Sequence, residues 1–181
     1  GEAFSDLGVL LVLIIILVYI VMATQFESLV YPFIIMFTIP FAMSGVFIAL
    51  WMTNTPLSLI ALIGAIMLVG IVTKNGIVMV DYMNLLVERG SSVFDAVIAG
   101  GKSRLRPVLM TSFTTILGMV PMAFGTGEGS ATWRPMGIAV IGGLTFSTIL
   151  TLFVIPVLYA ILEIRAERRA KRKEEQERAK A

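Results

Sequence analysis

Leu57–Tyr82 reads LSLIALIGAIMLVGIVTKNGIVMVDY, an apolar run interrupted by one lysine, Lys74, with Asn75 beside it and Asp81 near its end. An α-helix rises about 1.5 Å per residue, so about 20 mostly apolar residues cross a hydrocarbon core about 30 Å thick. This run is long enough, and it decides the class: an all-α membrane protein. Composition agrees, because 57% of the 181 residues are hydrophobic and only 14% are charged. The mean hydropathy of +0.93 lies outside the range of ordinary soluble domains.

Working outward, four further segments have the length and composition of spans: Leu7–Ala23, Pro32–Trp51, Pro107–Phe124 and Met136–Leu162. In the second, Pro32 suits a first helical turn, Pro40 predicts a kink, and Trp51 stands where an interfacial aromatic belongs. Pro156 falls near the end of the last. Between the third and fourth spans, Val93, Ala96, Val97 and Ile98 recur at helical spacing among small or charged residues, which predicts a short interfacial amphipathic helix at about 90–103. The expected architecture is therefore five transmembrane helices plus that short helix. Residues 1–6 form an N-terminal flank, 7–162 the membrane domain, and 163–181 a charged tail. Glycines in GTGEGSATWRP, Gly125–Pro135, predict a turn between spans, and the mixed charges after Leu162 predict a frayed helix or a disordered segment.

Lysine and arginine are retained in short cytoplasmic loops. Eight of the fourteen basic residues lie between Arg165 and Lys180, and Arg89, Lys102, Arg104 and Arg106 lie between spans three and four. The loops after spans two and four hold only Arg134. This predicts a cytoplasmic C-terminus and an N-terminus outside. The loop after span one carries Glu27 and no basic residue, and is neutral to the rule. An odd number of spans with that orientation, and a start at Gly1 without a basic leader, predict a preceding half and a chain that is a fragment or a processed half. Cysteine and histidine are absent, which excludes disulfides, thiolate sites and histidine chemistry.

Lys74 lies about five residues, or about 7.5 Å, to the cytoplasmic side of the middle of its span. A lysine in a span costs about 2.5–3.5 kcal/mol and normally faces protein with a partner. Snorkelling to the interface is the bland reading; Asp81, about 10.5 Å further along the axis, is too distant for direct pairing. Gly70 and Gly76 flank Lys74 and predict close backbone approach, so that the lysine faces other helices. An ammonium beside a carboxylate is destabilised when that carboxylate is protonated, which makes Lys74 a candidate proton sensor. Its partner carboxylate must come from outside these spans. Thr111, Thr115 and Gly118 form one stripe of the fourth span; the hydroxyls there either reach Lys74 or bond their own backbone. Gly142, Gly143, Ser147, Thr148 and Thr151 read as packing residues. The methionines, scattered over several spans, read as packing filler rather than as a path for soft metals.

Four stretches taken in order, Ala23–Gly45 (ATQFESLVYPFIIMFTIPFAMSG), Leu68–Tyr82 (LVGIVTKNGIVMVDY), Gly101–Ser130 (GKSRLRPVLMTSFTTILGMVPMAFGTGEGS) and Pro135–Tyr159 (PMGIAVIGGLTFSTILTLFVIPVLY), resemble the C-terminal membrane portion of resistance-nodulation-division transporters. The likeness runs from about Ala3 to Leu162 and is nearest the hydrophobe and amphiphile efflux branch, on KNGI and SRLRPVLMT. It implies a twelve-span pump of the bacterial inner membrane, not an enzyme, usually homotrimeric, that exports amphiphiles against protons. No cofactor is implied beyond the proton as coupling ion.

The present spans match the eighth to the twelfth. Lys74 matches a relay lysine that works with two aspartates of the fourth span, and Thr111 matches the relay threonine. Asn75 completes the family's KN pair, and Arg104 matches an arginine near the relay's cytoplasmic end. The implied partners are an N-terminal half with intramembrane aspartates, a periplasmic adaptor, an outer-membrane channel and membrane lipids, with no nucleic acid. Three alternatives stand beside this reading: an inert truncated fragment, a metal exporter of the same superfamily, and a protein-translocation accessory of that superfamily.

Overall fold

A computed structural model describes residues 1–180, with side chains through residue 178. Six helices follow one another: α1 (Glu2–Phe26), α2 (Val30–Met36), α3 (Thr38–Met52), α4 (Leu59–Glu88), α5 (Val93–Phe124) and α6 (Ser130–Lys180). Five helical segments are long and apolar enough to cross a membrane, α2 and α3 together forming one of them. No strand occurs among the described residues. The architecture is the all-α, five-span one that the sequence predicts.

Local chemistry sets the boundaries. The helical hydrogen-bond pattern is interrupted at Phe37, three residues before Pro40, where α2 gives way to α3 while Phe37 itself keeps helical dihedrals. Proline lacks the N–H that would bond the carbonyl four residues back, at Met36, and its ring crowds that carbonyl. Thr38 stabilises the joint by donating its hydroxyl to Ile35 O at 2.6 Å. Ser58 caps α4 by accepting the Ala61 N–H at 3.2 Å. Ser92 caps α5 by accepting the Asp95 N–H at 3.2 Å while donating to the Asp95 carboxylate at 2.7 Å.

Three expectations change in detail. Residues 93–103 are helical, but they form no separate element: α5 continues through Pro107 into the span. The loop after α5 is shorter than predicted, because α6 begins at Ser130 and already contains Pro135. The charged tail is helical, one of the two readings left open for it, but it continues α6 to Lys180 rather than forming an element of its own.

α6 is the centre of the bundle and packs against α3, α4 and α5. In lipid, association depends on close packing rather than on escape from water, so small residues gather at contacts. A Cβ on Gly142 would fall 2.1 Å from Ala49 Cβ, and one on Gly143 2.1 Å from Leu68 Cδ2. Gly45 of α3 faces the same contact, where its Cβ would meet Phe146 Cβ at 2.6 Å. The packing reading of Gly142 and Gly143 therefore holds. Around it lies one core cluster that includes Ala42, Val46, Leu68, Val72 and Leu144. A second, towards the other end, joins Met22, Ile35, Met79, Met83, Ile155 and Tyr159. α1 is peripheral: it touches α2 and α4, and Met22 is its one buried residue.

Candidate functional site

The buried residues of α4, from Ala61 to Met83, occupy most of its circumference. What remains is a single open stripe of Leu59, Ile63, Met67, Gly70, Lys74 and Asp81, spaced by three, four or seven residues. Lys74 is thus exposed within this chain, on the stripe of α4 that borders a groove against α1. The expectation that both neighbouring glycines mark helix contacts is half right. A Cβ on Gly76 would come within 2.8 Å of Ile35 Cγ2, but one on Gly70 would meet nothing within 4 Å. Gly76 therefore packs inside the bundle, and Gly70 leaves bare backbone one turn from the lysine.

Lys74 and Thr73 line an open groove of about 370 Å³ between α1 and α4, whose walls include Leu17, Val21, Met22 and Ile77. The Thr73 hydroxyl is buried and has no hydrogen-bond partner, and Lys74 brings the one charged group to an otherwise apolar groove. Asn75, only 7% exposed, turns into the bundle instead. Adjacent residues of a helix point about 100° apart, so Lys74 and Asn75 serve different faces of α4.

Thr111 lies on the open face of α5 and donates to Pro107 O at 2.8 Å. Thr114 and Thr115 likewise bond Met110 O and Thr111 O, at 2.8 and 2.9 Å. Of the two readings left open for these hydroxyls, backbone bonding is the one seen; each oxygen keeps lone-pair capacity to accept a further donor. Ser112, one residue on, turns inward and pairs with Thr148 Oγ1 of α6 at 2.9 Å. No side-chain hydrogen bond joins Lys74 to Thr111, Asn75 or Arg104 among the described residues. Arg104 is elsewhere engaged: its guanidinium carbon lies 4.5 Å over the Tyr82 ring, at the end of α4 next to Asp81. Its Nε is buried without a partner.

Two features were not anticipated from sequence. One is this stacking of Arg104 on Tyr82. The other is a polar knot at one end of the bundle, where Tyr31 donates to the Glu163 carboxylate and Tyr159 donates to Asn84 Oδ1 at 2.7 Å. The two tyrosine rings stack with centroids 5.8 Å apart. Tyrosines and an amide at span ends were the available signal.

Residues 2–163 match the AcrB/AcrD/AcrF family. The chain belongs to that family. This is a family of resistance-nodulation-division efflux transporters. The multidrug resistance protein MdtC of Erwinia tasmaniensis is 42% identical over 147 residues, covering 81% of this chain and 14% of MdtC. The cobalt-zinc-cadmium resistance protein CzcA of Cupriavidus metallidurans is 41% identical over 160 residues, covering 88% of this chain and 15% of CzcA. Among solved structures, a crystal structure of a heavy metal efflux pump superposes with a TM-score of 0.79 and 32% identity, over 87% of this chain and 16% of that one. The chain thus spans about one-seventh of the length of these relatives.

Proposed function

We propose that the chain is the C-terminal membrane half of a proton-driven pump of the bacterial inner membrane. It exports drugs or other amphiphiles, with its C-terminus in the cytoplasm. The observation that carries this reading is the open stripe of α4, on which Lys74 stands one turn from an uncovered Gly70. A lysine at that depth is costly unless protein supplies a counter-charge. The open face is the route by which an acidic helix from outside the chain reaches it.

In this mechanism a carboxylate of that helix holds the Lys74 ammonium. Protonation of the carboxylate removes the attraction and frees the ammonium, and the Thr111 oxygen then accepts one of its hydrogens. Asn75, anchored in the core behind Lys74, fixes the rotation of α4. Arg104, held on Tyr82, supplies positive charge at the cytoplasmic mouth. The shift of the ammonium moves α4 relative to α5 and so drives the distant export cycle. The working assembly on this reading is a homotrimer that includes the N-terminal half, with a periplasmic adaptor and an outer-membrane channel.

The full pump carrying Lys74→Ala or Lys74→Met, produced at parental level, is expected to lose drug export and proton uptake together. Undiminished export by both variants would remove Lys74 from the mechanism. Cation export is a second reading, because CzcA and the heavy metal pump carry that in their names. Against it, Met22, Met79 and Met83 are packed within a core cluster, which supports their role as filler. Resistance assays with amphiphilic drugs and with zinc, cobalt and cadmium, run side by side, separate the two.

A further inference from the structure

Beyond Leu162 the apolar part of α6 ends and its arginines begin. Arg165 and Arg169, one turn apart, border a hollow of about 370 Å³ against Ser28, Val30 and Tyr31 at the entry to α2. A second hollow, of about 530 Å³, shares both arginines and adds Arg168, Lys171, Arg172 and the carboxylate of Glu175. Glu163 is the one carboxylate of the first hollow, and it already accepts the Tyr31 hydroxyl. Ser28 Oγ accepts the Val30 N–H at 3.2 Å, which leaves its own hydrogen free to donate. Leu29 beside it is 69% exposed, so the hollow opens towards an apolar flank.

Planar guanidinium groups match the oxygens of a phosphate. Clusters of Lys and Arg immediately outside a span attract anionic lipid. A free phosphate would use the arginines and Ser28 but not the apolar flank. We infer that this hollow binds the phosphate of an anionic phospholipid, held by Arg165, Arg169 and the Ser28 hydroxyl, with an acyl chain along Leu29 and Val30. The site needs only the membrane placement of α6 and is independent of the proton-relay reading.

The test uses the full-length protein in nanodiscs of phosphatidylcholine with an equal amount of phosphatidylglycerol. Lipid retained after gentle detergent extraction is then identified by native mass spectrometry. Phosphatidylglycerol is expected to be retained over phosphatidylcholine by roughly tenfold or more. Arg165→Gln with Arg169→Gln, both at exposed positions, is expected to abolish the preference. Lys173→Gln with Arg178→Gln removes the same charge from residues that line neither hollow, and is expected to keep it. Equal loss in both double variants would show diffuse attraction to the tail and overturn the site. Equal retention of the two lipids by the parent, or displacement of the lipid by excess inorganic phosphate, would overturn the lipid assignment.

Discussion

The contact of α3 with α6 and the outward face of α4 are built from the same kinds of residue and behave oppositely. At the first, Gly45, Gly142 and Gly143 are each pressed against a neighbour, and no Cβ fits. At the second, Gly70 has nothing near it, and Lys74 is exposed beside it. A glycine in these helices is therefore either pressed into a contact, as at Gly45, Gly142 and Gly143, or left uncovered, as at Gly70. The difference separates what this chain does for its own fold from what it presents to the rest of the family's longer proteins.

The sharpest way to break the comparison is to fill both kinds of glycine. Gly143→Leu forces a side chain onto Leu68 and Val46. Overpacking of this kind costs about 1–3 kcal/mol and occasionally more, and the Ala42 carbonyl oxygen, 3.1 Å from where the Cβ would stand, limits relaxation on one side. The expected outcome is loss of folded, monodisperse protein in size-exclusion chromatography. Recovery at parental yield would mean that the close approach of α3 and α6 is not needed.

Gly70→Leu meets open space within this chain, so folding of these helices is expected to survive. Export by the full pump is expected to fall severalfold, because the added side chain stands where another helix must approach Lys74. Unchanged export would show that the open stripe receives no close neighbour.

Why one region was readable in the sequence and the other was not follows from the physics. The spans, and the packing role of Gly142 and Gly143, were legible because lipid demands long apolar helices and small residues at their contacts. The interruption at Phe37 follows from Pro40 as well, because the carbonyl that the proline leaves unpaired lies a turn earlier. The side to which Lys74 points was not legible. Gly70 and Gly76 look alike in sequence, and only the position of Ile35, far along the chain, shows which is covered. The bond of Tyr31 to Glu163 spans 132 residues, and no local pattern encodes such a pairing. On the proposed reading, the partner of Lys74 lies outside these helices, which no residue of this sequence could spell out.

The smallest expected effect concerns the neighbouring pair Thr111 and Ser112, which divide α5 between the two regimes. Thr111 is on the open face and bonds only its own helix, whereas Ser112 is buried and pairs with Thr148 across to α6. Hydrogen bonds between membrane helices average only about 0.6 kcal/mol, since a hydroxyl left alone finds its own backbone. Thr148 has that recourse. Ser112→Ala is therefore expected to lower thermal stability slightly, and a double-mutant cycle with Thr148→Val to give a coupling of about 0.6 kcal/mol. The matching cycle of Thr111→Val with Thr148→Val is expected to give none, because Thr111 faces away. A coupling for Thr111 as large as that for Ser112 would mean that α5 is rotated from the orientation described, and that the open threonine face is part of the core.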